Sequence, residues 1–244
     1  MERASQGAAW RCTGGIGERQ SAHFLGSLPG PVREELLSIG SPQQYSPGEE
    51  ILVEGVRGDY LVLLKSGRVK VTGKLGSGQH ALIAIRVGGD VVGEMAVIDD
   101  VPRSATVTAC DDVEAHVVQG RAMRRFLDKR PEVALEIARL SIRRLRKANA
   151  WRIAFAGSSV RVRLAWTLAE LAQEHGLAVR SYILICLDLT QTELGAFIGA
   201  KQSAVHKALV RFRDEGIITI SSRRVEVMKL NRLREIGGLP TIGR

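Results

Sequence analysis

Residues 189–213, LTQTELGAFIGAKQSAVHKALVRFR, carry the strongest structural signal in this 244-residue chain. Thr190 and Glu193 have the T-x-x-E spacing of a capping box, which predicts that a helix begins at about Gln191. Gly199 then stands where a tight turn needs a residue that tolerates positive φ. A short helix, a glycine turn and a longer helix are typical of a helix-turn-helix, whose second helix enters the major groove of DNA. The second helix is predicted from apolar residues at helical spacing, namely Val205, Ala208, Leu209 and Phe212.

The second helix leaves a polar face that can meet DNA. Gln202, Ser203 and Lys207 can reach base edges, and the later arginines can meet phosphates. After this helix, residues 217–220 and 225–228 predict a β-hairpin with a basic tip, which is a wing for backbone contact. The alternative is a helical hairpin used only for packing. The predicted DNA contacts are Thr190, Lys201, Gln202, Ser203, His206, Lys207, Arg211, Arg223 and Arg224.

The charge distribution favours the same half of the chain. Residues 1–128 carry 14 Lys/Arg against 16 Asp/Glu, whereas residues 129–158 carry 8 against 2 and residues 159–244 carry 13 against 8. The net charge of +9 therefore comes entirely from the second half. A basic C-terminal part joined to a nearly neutral N-terminal part indicates a nucleic-acid partner, although a solvated basic surface would give the same count.

The N-terminal half predicts a β-rich domain. Gly-rich turn signals separate six short runs, which is typical of an antiparallel barrel or sandwich. A short helix over 24–39 is predicted to precede them. The six predicted strands are Glu50–Val53, Tyr60–Lys65, Arg68–Thr72, Ala81–Val87, Ala105–Cys110 and Glu114–Val118.

From Pro131 the hydrophobic period becomes helical. A narrow 3-4-3-4 seam follows, which suits pairing of two long helices, although packing on the chain's own domain is the alternative. Gly157-Ser158-Ser159 then breaks the helix and predicts a domain junction. The seam residues are Leu135, Ala138, Ile142, Leu145, Asn149, Arg152 and Ala156.

Residues 93–107, GEMAVIDDVPRSATV, resemble the phosphate-binding cassette of cyclic-nucleotide-binding domains. The order of β-roll, cassette, long helix and winged helix-turn-helix over about residues 24–230 is similar to that of the CRP/FNR family of bacterial regulators. The resemblance implies an α+β fold made of a cyclic-nucleotide-binding β-roll, a long dimerisation helix and a C-terminal winged helix-turn-helix. It divides the chain into a flexible tail (1–20), the β-roll (21–128), the dimerisation helix and hinge (129–158) and the DNA-binding domain (159–244).

The resemblance also implies a set of ligand contacts. Arg103 supplies a permanently charged fork for a cyclic phosphodiester, and Ser104 with the backbone of Gly93, Glu94, Met95 and Ala96 completes the cradle. In the family the cassette glutamate, here Glu94, accepts from the ribose 2′-hydroxyl. A threonine and a serine face adenine in members that respond to cyclic AMP, and those positions here are Ala148 and Asn149. Asn149 can still bond a purine edge, but Ala148 cannot. An internal salt bridge between Glu94 and Arg103 in an empty pocket is the alternative.

We therefore predict a cytoplasmic, homodimeric regulator that binds palindromic double-stranded DNA under control of cyclic AMP or another cyclic nucleotide, with RNA polymerase as a further candidate partner. The alternatives are a ligand-independent regulator of the same fold and a regulatory module of an enzyme. No catalytic residues, metal ligands, covalent cofactor or membrane span are predicted. Cys12, Cys110 and Cys186 are scattered, which is typical of reduced thiols.

Overall fold

The structure is a computed structural model that describes residues 23–76, 78, 80–185, 187, 189–221 and 224–239. The predicted tail, Cys12, Cys186 and the predicted DNA contact Arg223 lie outside these residues. The described helices are α1 (Phe24–Ser27), α2 (Gly30–Ser38), α3 (Glu94–Asp99), α4 (Gly120–Lys129), α5 (Pro131–Phe155), α6 (Val160–His175), α7 (Gln191–Ile198), α8 (Gln202–Asp214) and α9 (Leu230–Ile236). The described strands are β1 (Ser41–Tyr45), β2 (Glu50–Leu52), β3 (Tyr60–Ser66), β4 (Arg68–Lys74), β5 (His80–Val87), β6 (Val91–Val92), β7 (Thr106–Ala109), β8 (Val113–Gln119), β9 (Gly176–Val179), β10 (Tyr182–Ile185), β11 (Ile218–Ser221) and β12 (Arg224–Val227).

The N-terminal strands form two antiparallel sheets of four strands, in the orders β1-β8-β3-β6 and β2-β7-β4-β5. Buried apolar side chains of both sheets, such as Val62, Val69 and Val107, share one core. All six predicted strands are present, and β1 and β6 are additional. β1 was missed because its sequence SPQQY carries a proline and little apolar character. It lies at a sheet edge, where a missing backbone N–H is tolerated.

The helix predicted over 24–39 is two helices. α1 and α2 are separated at Leu28 and Pro29, and Leu28 has an extended conformation with φ −86° and ψ 143°. The proline ring disfavours helical geometry in the residue before it, so the break follows from the sequence. The two helices pack, with α4 and the start of α5, against one face of the β-roll.

Helix α5 has two distinct faces. Val133, Ile137 and Leu140 are buried against the β-roll, so the helix does pack on its own domain. The predicted seam lies on another face and stays exposed in the single chain, where Leu145 keeps 61% of its surface. Packing on the chain's own domain is therefore confirmed for one face of the helix, and pairing of two long helices stays a prediction for the other face.

The C-terminal part combines α6, α7 and α8 with the antiparallel sheet β11-β12-β10-β9. The capping box, the left-handed Gly199 with φ 63°, and the winged hairpin of β11 and β12 are confirmed. The predicted α+β class is thus confirmed. One feature is not visible in the sequence: Leu82, Ile85 and Val87 of β5 belong to the same core as the C-terminal helices.

Candidate ligand cavity and DNA-binding face

The cassette is built around Gly93 and Arg103. Gly93 has φ 79° and precedes α3, and a Cβ at this position would lie 2.6 Å from Arg103 Nη1, so only glycine fits. Arg103 is 5% exposed. Its Nη1 donates to the carbonyl of Gly93 at 2.8 Å, and its Nη2 donates to the carbonyl of Tyr60 at 2.5 Å. The guanidinium also lies 4.6 Å above the Tyr60 ring. Arg103 is therefore held in one orientation before any anion arrives.

The alternative of an internal salt bridge between Glu94 and Arg103 is wrong. Glu94 pairs with a different arginine. Arg144 Nη1 of α5 donates to Glu94 Oε1 at 2.6 Å, and Arg144 Nη2 donates to the carbonyl of Val91 at 2.9 Å. The Glu94 side chain is 5% exposed and that of Arg144 is 23% exposed. Arg144 was not among the residues predicted from the sequence. Helical spacing could have identified it, because Arg144 follows Ile137 and Leu140 on the buried face of α5. A charged residue on such a face needs a partner.

A cavity of about 540 Å³ lies beside the cassette, within the size range of small-ligand sites. The predicted contacts that line it are Gly93, Glu94, Met95, Ala96, Arg103, Ser104 and Ala148. Asn149 does not line the cavity of its own chain and is exposed on α5. Among the described residues, the Ser104 hydroxyl has one weak partner, Met95 Sδ at 3.9 Å, so it can bind a ligand oxygen.

The far wall of the cavity comes from the C-terminal part. Glu170, Glu174 and His175 of α6 and Phe197 of α7 line it together with Trp151 of α5. The Trp151 ring packs edge-on against Phe197, with centroids 4.2 Å apart. Burial raises the pKa of Glu170 and lowers the pKa of His175 to about 4, so His175 is neutral at physiological pH. A ligand here would touch both halves of the chain.

A second contact between the halves involves the helix-turn-helix itself. Lys70 Nζ of β4 donates to Glu193 Oε1 at 2.6 Å. Burial would raise the pKa of Glu193, but the hydrogen bonds from Lys70 and from the backbone N–H of Thr190 outweigh it and lower that pKa. The capping-box residue of α7 therefore also ties α7 to the β-roll.

The candidate DNA-binding face is the exposed surface of α8 together with the exposed residues that flank α7 and α8. Gly195 permits the tight turn, because a Cβ there would lie 2.7 Å from the carbonyl oxygen of Ala200. Arg211 is exposed, and its Nε donates to Glu215 at 3.1 Å, while Arg224 is half-buried on the wing. The predicted contacts that are exposed on this face are Thr190, Lys201, Gln202, Ser203, His206, Lys207 and Arg211.

An anion cradle in a β-roll, a long helix and a winged helix-turn-helix with an exposed polar helix define a ligand-binding module joined to a DNA-binding one. Residues 42–130 match the cyclic nucleotide-binding domain family, and residues 162–236 match the Crp-like helix-turn-helix domain family. The chain is 31% identical over 192 residues to the CRP-like cAMP-activated global transcriptional regulator of Mycobacterium tuberculosis, covering 79% of this chain and 86% of that protein. The chain therefore belongs to the CRP/FNR family of transcription regulators.

Two further comparisons agree with this assignment. The cyclic AMP receptor protein of Thermus thermophilus is 29% identical, over 87% of this chain and 95% of that protein. The crystal structure of a CRP-family transcriptional regulator from the same organism has the same fold, with a TM-score of 0.69 at 24% identity over 83% of this chain and 100% of that chain. Both matched domain families describe binding modules, one for ligand and one for DNA. In the described part of the chain, no helix is long and apolar enough to cross a bilayer.

Proposed function

We propose that this protein is a homodimeric, sequence-specific DNA-binding regulator whose activity is controlled by a cyclic nucleotide in the cassette cavity. The observation that carries the proposal is the cavity itself, since one wall holds the buried anion donor Arg103 and the opposite module supplies α6 and α7. A ligand can shift an equilibrium only by binding one state better than another. A ligand that contacts both modules meets this condition whenever their arrangement changes.

The ligand roles follow from the donors and acceptors around the cavity. Arg103 and Ser104, with the backbone from Gly93 to Ala96, are proposed to hold the phosphodiester, and Glu94 to accept from the ribose hydroxyl. Glu94 can accept this bond while it still pairs with Arg144, because a carboxylate has about four lone-pair sites. Ala148 is proposed to pack against the base. Asn149, which faces away from its own cavity, is proposed to act across the dimer interface.

The dimer is proposed to form along the exposed seam of α5. Ile142 and Leu145 are 55% and 61% exposed, and Leu135 is 51% exposed two helical turns before them. Apolar residues in such a row are typical of a two-helix interface. Pairing would place two recognition helices on one face of DNA, where adjacent major grooves are about 34–36 Å apart. The proposed hinge is the segment 157–159, where Gly157 has φ 74° between α5 and α6.

The DNA contacts are proposed to be Gln202, Ser203 and Lys207 to bases, and the basic residues of α8 and the wing to phosphates, including Arg223 and Arg224. DNA binding requires the compartment that holds DNA, so the cytoplasmic location is part of the proposal. The proposed domain limits are 1–20, 21–128, 129–158 and 159–244. RNA polymerase stays a candidate partner.

A ligand-independent regulator is a second candidate. It is favoured by one observation: Arg103 and Glu94 already have protein partners, so the cradle holds its shape when empty. The cavity volume favours the ligand-controlled form, and so does the Ser104 hydroxyl, whose one partner among the described residues is the weak contact with Met95 Sδ.

The test is selection of bound fragments from random DNA by the full-length protein, with and without cyclic AMP or cyclic GMP at about 1 mM, at one fixed salt concentration. We expect a palindromic site whose occupancy changes with a cyclic nucleotide, and we expect Arg103→Leu to remove that change but keep the site. A palindrome with unchanged occupancy would favour the ligand-independent form. Absence of any selected sequence would refute the DNA-binding proposal.

A further inference from the structure

The cavity contains a guanidinium most of whose donors have no partner among the described residues. Arg86 of β5 lines the cavity. Its one hydrogen bond among the described residues runs from Nη1 to the carbonyl of the neighbouring Ile85 at 3.1 Å, and it forms no ion pair with them. Burial lowers the pKa of Arg86 to about 10, which still leaves it charged at neutral pH. This charged guanidinium is half-buried, and its remaining donors are available to an acceptor inside the cavity.

The carboxylates that surround Arg86 are all committed to other cations. Asp90 lies 3.2 Å from His23, and Glu94 lies 2.6 Å from Arg144. Glu174 pairs with Lys147 of α5. These carboxylates contribute a favourable field at Arg86, but none of them is its hydrogen-bonding partner. An acceptor that a bound ligand brings into the cavity can therefore pair with the remaining donors of Arg86.

Glu170 of α6 is the complementary case. It lines the same cavity from the C-terminal wall and has neither a hydrogen bond nor an ion pair among the described residues. The two cations whose fields lower its pKa are engaged elsewhere, since Lys147 pairs with Glu174 and Arg234 donates to Gln173. The cavity thus contains a hydrogen-bond donor on β5, the Arg86 guanidinium, and a hydrogen-bond acceptor on α6, the ionised Glu170 carboxylate.

These two groups discriminate between purine bases. Guanine carries two adjacent acceptors, O6 and N7, which match an arginine fork, and two adjacent donors, N1–H and N2–H, which match a carboxylate. Adenine places its N6 donor beside both N1 and N7, so it offers neither pair. Ala148, which also lines the cavity, has no hydrogen-bonding group for the adenine edge.

We propose that the cavity selects a guanine nucleotide, with Arg86 donating to O6 and N7 and Glu170 accepting from N1–H and N2–H. The inference rests on the proposed function, because it places the phosphodiester of the same ligand at Arg103. It makes the base a bridge between β5 of the β-roll and α6 of the DNA-binding part. A guanine ligand therefore senses the relative position of the two modules.

The experiment is isothermal titration of the full-length protein with cyclic GMP and, separately, cyclic AMP. We expect wild type to bind cyclic GMP at least about tenfold more tightly, and Arg86→Leu and Glu170→Gln each to weaken cyclic GMP roughly ten- to hundredfold, since one bidentate contact is lost. Both variants should change cyclic AMP binding less than about threefold, because adenine lacks these contacts. Arg86→Lys keeps the charge but not the fork, so it should lose most of the preference. The matched control is Arg125→Leu, an exposed arginine on α4.

Three outcomes overturn the inference. Equal or tighter binding of cyclic AMP by wild type leaves the proposed cyclic-nucleotide control intact but refutes guanine selection. Equal weakening of both nucleotides by Arg86→Leu, in a protein with unchanged circular dichroism, shows that Arg86 contacts a part that both ligands share. If neither nucleotide gives binding heat at millimolar concentration, both cyclic-nucleotide binding and the guanine inference are refuted.

Discussion

The ion pair between Glu94 and Arg144 connects the cassette to α5, and removing one partner should destabilise the protein strongly. We consider Arg144→Met, which keeps much of the length of the side chain but leaves the carboxylate of Glu94 without its cation. That carboxylate is 5% exposed, so water cannot readily replace the lost partner.

The magnitude follows from the burial of the two side chains. Breaking a fully buried pair costs about 3–5 kcal/mol. Arg144 is 23% exposed, so part of the site is hydrated, and we expect about 2–4 kcal/mol for Arg144→Met. Changing both residues, in Glu94→Gln/Arg144→Met, removes the uncompensated charge as well. The double variant should therefore lose about 1–3 kcal/mol less than the sum of the two single variants.

The assay is urea unfolding of the four proteins of this cycle, followed by far-ultraviolet circular dichroism, with the midpoint and slope giving the free energy of unfolding. Arg143→Met is the control, because Arg143 is the exposed neighbour on the same helix and should change stability by less than about 0.5 kcal/mol. Strictly additive single changes, or a cost for Arg144→Met no larger than that of the control, would refute the reasoning.

Three further predictions concern DNA, the dimer and pH. Lys207→Ala should weaken DNA binding about tenfold at fixed salt without lowering the melting temperature, because Lys207 is exposed; unchanged affinity in fluorescence anisotropy would contradict its role. Leu145→Glu should convert the protein to a monomer in sedimentation velocity, since a charge would enter the proposed seam; a persistent dimer would remove α5 as the interface. The hydrogen bond to Asp90 raises the pKa of His23. The stabilisation that this bond adds to the folded protein is therefore complete below about pH 6.5 and is lost as pH rises through the pKa of His23 in the folded state. The urea midpoint of His23→Gln should therefore lie below that of wild type at about pH 6 and approach it at about pH 8.5, and a pH-independent gap would contradict this assignment.

Some features of this protein depend only on neighbours within one or two turns, and these could be predicted from the sequence. The capping box joins Thr190 to Glu193, three residues apart, and Gly199 sets a turn through its own φ. Such interactions have fixed short spacings, so they are legible without knowing what lies elsewhere in the chain. The break at Leu28 has an equally local cause, because the constraint from Pro29 acts on the residue before it, although the prediction was one helix over 24–39.

The pairing of charged groups, by contrast, emerged only when the elements were packed together. Arg144 meets Glu94 across 50 residues, and Lys70 meets Glu193 across 123. The sequence marks all four as charged but carries no signal for the partner, because long-range pairing depends on how whole elements pack. The same packing leaves Arg86 and Glu170 in one cavity without hydrogen-bonding partners from other described elements. It also places β5 in the core of the DNA-binding part, so that the ligand cavity and the helix-turn-helix share a wall.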